Sequence, residues 1–223
     1  MLTGIEAVIF DVDGTLVDSM WIWSNIDELF LERFHLTKPE NFHKGMEGMS
    51  YSETAQYFLE LFPELPFTKE ELERKWFELA YEIYAREIEL KKGAYEFILE
   101  MHAKGIKLGI ASSNHKKLAE AVLAHHKVLP YFGSVWTASE AGAGKPDPAV
   151  YLRVAEELNV DPSKCLVFED VPNGIQAGKA AGMKVCAVED PFSDTQKELK
   201  WELADYYIRD FDDIGNDTYD VLL

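Results

Sequence analysis

Ile5-Glu6-Ala7-Val8-Ile9-Phe10-Asp11-Val12-Asp13-Gly14-Thr15 is a largely apolar run that ends in two carboxylates and turns on Gly and Thr. In an extended segment, residues two apart face the same side. Asp11 and Asp13 can therefore serve one site at the C-terminal end of a strand. Like charges that close repel unless a metal cation or a shared proton offsets them. The stretch suits a divalent metal and an anionic substrate. A strand followed by an acidic Asp-Gly turn is the plainer alternative.

Working outward, strand-like runs recur at Ala7 to Phe10, Lys107 to Ala111, Ser134 to Thr137, Cys165 to Phe168, Lys184 to Val188 and Tyr206 to Ile208. Amphipathic helical stretches separate most of them: Ala94 to Ala103, Lys116 to His125, Ala149 to Leu158 and Gly174 to Ala181. This alternation implies βαβ units and an α/β fold with a doubly wound parallel sheet. The interval 16–91 breaks the pattern. It shows helical periodicity and no convincing strand, with Leu72, Trp76, Leu79 and Ile83 at three- and four-residue steps. It reads as an all-helical insertion (16–91) in a core formed by 1–15 and 92–223. The tail after Asp210 is acidic and carries no clear pattern.

The 223 residues carry a net charge of −18. That excess opposes nucleic acid or an anionic membrane as a main partner, because both select basic surface. It leaves room for a small phosphorylated metabolite, whose charge a metal and one or two cations can meet locally. Two cysteines, Cys165 and Cys186, lie in apolar runs and read as buried thiols, without a disulfide framework. No secretory leader pattern opens the chain, and no apolar run nears the length that spans a bilayer. A cytoplasmic monomer or weak homodimer is expected.

Four polar clusters fall at successive strand ends: Asp11 and Asp13; Ser112-Ser113-Asn114; Lys145 in Gly144-Lys145-Pro146-Asp147-Pro148; and Glu169-Asp170. In an open parallel sheet, ligands bind beyond the carboxyl ends of the strands, so all four can converge on one pocket. Each has a bland counterpart. Ser112 to Asn114 could simply cap the next helix, Lys145 could be a surface lysine, and Glu169-Asp170 an acidic strand exit. Gly142-Ala143-Gly144-Lys145 imitates a P-loop only faintly. Ser139 stands where a Gly is needed, and Pro146 where Ser or Thr would hold Mg²⁺.

Together these residues resemble the haloacid dehalogenase superfamily, in its phosphatase and β-phosphoglucomutase-like branch with a small helical cap inserted after the first motif. The stretch from Phe168 to Ile175, with Ala177-Gly178 and Ala181-Gly182-Met183, is characteristic of that branch. The resemblance implies a Rossmann-like core and Mg²⁺-dependent hydrolysis of a small phosphate monoester through an aspartyl-phosphate. Asp11 would be the nucleophile and Asp13 the acid–base residue. Asp11, the Asp13 carbonyl and Asp170 would hold Mg²⁺, with Glu169 supporting it through water. Ser112, Lys145 and the amides near Ser113 and Asn114 would hold the phosphoryl oxygens. Gly14 would turn the chain sharply and Thr15 would orient Asp13. Asp13 itself points to ester chemistry, since relatives acting on halides, phosphonates or long-lived acyl-phosphates carry other residues there.

The cap would supply specificity through Met20, Trp21 and Trp23 and the loop from Gly45 to Tyr51. Against a sugar-phosphate mutase of the same branch, Trp23 replaces a His, Tyr51 replaces an Arg that grips a second phosphate, and Glu47 lies near a usual Lys. Lys44 and Arg86 are candidate replacements for that grip. Hydrolysis is favoured, the mutase is the alternative, and a non-catalytic phospho-ligand binding protein ranks third.

Overall fold

The computed structural model describes residues 1–40 and 42–223. The side chain of Lys44, named above as a candidate cation, lies outside the described residues. Strand β1 (Ala7–Phe10) is followed by four helices, α1 (Met20–Arg33), α2 (Phe42–Met46), α3 (Tyr51–Leu61) and α4 (Lys69–Tyr84). The chain then alternates through α5 (Ala94–Ala103), β2 (Lys107–Ser112), α6 (Lys116–His125), β3 (Phe132–Thr137), α7 (Ala138–Ala141), α8 (Ala149–Leu158), β4 (Cys165–Glu169), α9 (Pro172–Ala180) and β5 (Lys184–Val188). It ends with α10 (Lys197–Leu203), β6 (Tyr206–Ile208), α11 (Asp212–Gly215) and β7 (Asp220–Val221).

The sheet order is β3-β2-β1-β4-β5-β6-β7, parallel except for the last strand. β1 sits between β2 and β4, so the strand order reverses at the strand whose exit carries Asp11 and Asp13. That is where an open α/β sheet leaves a crevice. All four β1 residues are fully buried, which explains the unbroken apolar run. Alternation assigns them to opposite faces: Val8 and Phe10 join one core, Ala7 and Ile9 the other. Phe10 stacks on Phe168 of β4 with centroids 5.4 Å apart. The register pairs Phe10 with both Ile110 and Phe168. The residues just beyond them on three strands therefore emerge at one level.

The helices between β1 and α5 form an aromatic-rich block. Phe30, Phe58 and Trp76 meet edge to face within it. Capping boxes start α3 (Ser50 with Glu53) and α4 (Thr68 with Glu71). The buried stripe of α4 is Leu72, Trp76, Ala80 and Tyr84, a four-residue step throughout. The expected stripe through Leu79 and Ile83 is corrected accordingly, since Leu79 is 39 % exposed and the small Ala80 faces inward. The two segments joining block and sheet run side by side: Asp18 N–H donates to Glu89 O (2.9 Å) and Lys91 N–H to Leu16 O (2.9 Å). Val17 forms isolated bridges to Asp13 and Leu90, extended structure where none was expected.

The acidic tail is more ordered than its composition suggested. Arg209 donates to Asp213 on α11, and β7 closes the sheet edge against β6. Helix α9 starts at Pro172, two residues before the expected Gly174, because Pro suits a first helical turn. Among the described residues no helix is long and apolar enough to cross a membrane.

Candidate active site

Asp11 leaves β1 with its N–H donating to Phe168 O (3.1 Å), which keeps it in line with the sheet. The chain then turns at Gly14, whose φ of +79° is disfavoured for residues with a side chain. A Cβ there would lie 2.5 Å from Asp170 Oδ2, so the glycine lets the two strand exits approach. Thr15 Oγ1 donates to Asp170 Oδ1 (2.8 Å). Thr15 therefore orients Asp170, and the expectation that it orients Asp13 is corrected.

Lys145, between α7 and α8, lies in the same pocket. Its Nζ donates to Asp11 Oδ1 (2.7 Å) and Glu169 Oε1 (2.5 Å), with the side chain 1 % exposed. Glu169 is fully engaged: Oε1 also accepts from Tyr151 OH (3.0 Å), and Oε2 accepts the N–H groups of Asp170 (2.9 Å) and Val171 (3.1 Å). Burial pushes the Asp11 carboxyl up to about 8; Lys145 pulls it down and Glu169 pushes it further up. Burial, then Glu169 and Asp11, raise Asp170 well above the carboxylate range. Lys145 rises well above an ordinary lysine, because attraction to Asp11 and Glu169 outweighs its burial.

One oxygen from each of Asp11, Glu169 and Asp170 lies within 4.8 Å of the others. Three buried carboxylates against one ammonium leave excess negative charge when all are ionised, which is costly unless a cation shares it. The donors are all oxygen, the ligand type that hard divalent cations take. The residues present fit a divalent metal ion.

Asp13 is held from three sides. Oδ1 accepts from Ser19 Oγ (2.5 Å) and from Tyr84 OH, and Oδ2 accepts from Asn114 Nδ2 (2.9 Å). Tyr84 is completely buried at the end of α4 and in turn accepts from Trp23 Nε1 (2.9 Å) and Asn114 Nδ2 (3.1 Å). Burial and the neighbouring Asp13 raise its phenol well above the ordinary range, so it stays a donor.

A cavity of about 450 Å³ opens on these groups, lined among others by Asp11, Asp13, Trp23, Tyr51, Ser113, Asn114, Lys145, Glu169 and Asp170. Ser112 is not on its wall; its buried hydroxyl accepts the Asn114 N–H (3.0 Å) and shapes the turn. The following helix is capped by His115, whose Nδ1 accepts from Lys117 N–H, rather than by Ser112 to Asn114. Trp21 is corrected as a cavity residue: it is 42 % exposed and donates to Asp18 O. Helical geometry explains this, because Met20 and Trp23, three apart, share a face that residue 21 does not. Tyr51 lines the cavity as a packed wall, its OH donating to Glu73 O (3.1 Å). Arg86 points to solvent and pairs with Glu82. Tyr84, Ser19 and Tyr151 went unnoticed in the sequence; only the four-residue step of α4 could have singled out Tyr84.

The chain belongs to the haloacid dehalogenase-like hydrolases, whose family model matches residues 5–182. It is 32 % identical over 197 residues to a probable pseudouridine-5'-phosphatase of Drosophila melanogaster, covering 86 % of this chain and 84 % of that one. It is 30 % identical over 180 residues to a phosphorylated carbohydrates phosphatase of Thermotoga maritima, covering 81 % and 83 %. A crystal structure of CbbY from Rhodobacter sphaeroides with phosphate shares the fold, with a TM-score of 0.82 at 22 % identity over 95 % of this chain and 96 % of that one.

Proposed function

We propose that the protein is a Mg²⁺-dependent phosphatase that hydrolyses a small phosphate monoester through an aspartyl-phosphate on Asp11. The observation that carries this reading is Lys145, buried and shared between Asp11 and Glu169, with Asp13 two residues from Asp11 in its own hydrogen-bonded cradle. The relatives named as phosphatases support it.

Asp11 attacks phosphorus and the P–O bond to the alcohol breaks; Asp13 gives its proton to the departing oxygen. Asp13 then takes a proton from the water that attacks the acyl-phosphate, which frees phosphate and restores Asp11. Lys145 and the amides near Ser113 and Asn114 hold the transferring oxygens, whose spread charge is what such donors stabilise. Glu169 fixes Lys145 and the backbone at residues 170–171. Asp11, Asp170 and the Asp13 carbonyl would hold Mg²⁺, which would supply charge neutralisation for both carboxylates and substrate.

The helical segment 16–91 acts as a cap over a core of 1–15 and 92–223. Tyr51 N–H on Ser113 O (2.7 Å) and Asn173 Nδ2 on Glu47 O (2.8 Å) hold it against the strand ends. Hydrolysis is preferred to mutase activity because, among the described residues, Lys145 is the one cationic side chain lining the cavity. A bisphosphorylated intermediate needs cationic grip at both ends. Phosphate release from a panel of sugar, polyol and nucleoside monophosphates should stop with EDTA and return with Mg²⁺. Turnover that ignores the metal contradicts the reading.

A further inference from the structure

Besides the carboxylates of the phosphoryl site, two more line the cavity: Asp27 from α1 and Glu47 from the loop between α2 and α3. Glu47 is fixed from the core side. Its Oε2 accepts the Gln196 amide (2.5 Å) and its carbonyl accepts Asn173 Nδ2 (2.8 Å). The loop lies close against the core because Gly48 has a φ of +80° and no side chain; a Cβ there would sit 2.5 Å from Lys145 O. Among the described residues the Glu47 carboxylate is held by the neutral Gln196 amide and pairs with no cationic side chain. Lys145 is committed to Asp11 and Glu169 and offers Glu47 nothing.

A second phosphate or a carboxylate brought into this part of the cavity would face the Glu47 carboxylate, with no uncommitted cation among the described lining residues to offset the repulsion.

We propose that Glu47 selects the alcohol half of the substrate, admitting phosphate monoesters of neutral alcohols and refusing esters with a second anionic group. This rests on the phosphatase reading above. Specificity of this kind works largely by repulsion of the wrong ligand. Glu47 is the specificity-determining residue of the wall, and Gln196 and Asn173 position it.

The test compares matched pairs with the full chain and Mg²⁺: hexose 6-phosphate against hexose 1,6-bisphosphate, and glycerol phosphate against phosphoglycerate. The neutral member of each pair should have a kcat/KM at least about 10-fold higher. Glu47→Gln should narrow that ratio by about 10-fold, mainly through KM of the doubly anionic member, and Glu47→Lys should narrow it further. Arg86→Ala, an exposed charge off the cavity, should leave the ratio unchanged. Equal rates on both members, or a ratio indifferent to Glu47→Gln in a variant with native circular dichroism, overturns the inference alone. Absence of phosphate release from every ester removes the phosphatase reading and the inference with it.

Discussion

The two sides of the cavity are built differently. On the sheet side, the charged groups are buried and pinned: Lys145 by Asp11 and Glu169, Asp170 by Thr15, Glu169 by four donors. On the helical side, the wall is aromatic, with Trp23, Tyr51 and Trp76 packed against one another. Its direct reach into the charged network is short: Ser19 and Tyr84 on Asp13, with Trp23 behind Tyr84. The contrast puts the paired charges on the sheet side, while the helical side completes the geometry and adds the carboxylates of Asp27 and Glu47 to the wall. Substitutions on the sheet side should therefore remove chemistry, and those on the helical side should alter how well it is coupled to the substrate.

The largest effect tests the sheet side. On the proposed mechanism Asp11→Asn removes the nucleophile and should lower kcat by at least about a thousandfold. Its folding should survive, because the change removes a carboxylate that burial already disfavours. Near-normal phosphate release by that variant breaks the assignment of charge to β1.

Tyr84→Phe sharpens the comparison. Without the phenol, Asp13 keeps Ser19 and Asn114 but loses its link to α4. Turnover of an alkyl phosphate, whose leaving oxygen needs a proton, should fall by about 10-fold. Turnover of p-nitrophenyl phosphate, which needs none, should fall by less than about 3-fold. Equal losses on both esters reduce Tyr84 to a packing residue.

The smallest expected effect concerns Asp27, on the helical side. Burial, opposed by Lys38 and aided by Glu28, lifts its pKa from 3.8 to about 7. The folded chain thus keeps a proton that the unfolded chain releases as pH rises through roughly 4. That contribution is complete below the unfolded value and lost as pH climbs through the folded one. Asp27→Asn escapes the loss. It should be more stable than the wild type by about 1–2 kcal/mol at pH 8, with the gap closing toward pH 4, as read by urea denaturation. A gap independent of pH contradicts the sign.

The sheet side was the legible side. An apolar run ending in Asp11 and Asp13, and the polar groups that end β2 and β4, could be placed from alternation and topology alone, because parallel strands in register deliver their exits to one edge. Lys145, expected at a strand end, instead lies between α7 and α8, beyond the exit of β3. The helical side was not, because helix periodicity sets a face only to within a turn. Leu79 was taken for Ala80, and Trp21 was grouped with Trp23, on that account. Tyr84 and Gln196 gain their roles from docking between parts distant in sequence, for which no local pattern exists. Ser112 and Thr15 were found, but their hydroxyls turn to Asn114 and Asp170, a choice made by the turn geometry.

The most direct test asks where phosphate goes. Asp13→Asn, supplied with Mg²⁺ and p-nitrophenyl phosphate so that no acid is needed for departure, should accumulate a phosphoryl group slow to hydrolyse. Acid quenching and peptide mass mapping should place it on Asp11. A phosphoryl group on another residue, or none while p-nitrophenol is still released, contradicts the account.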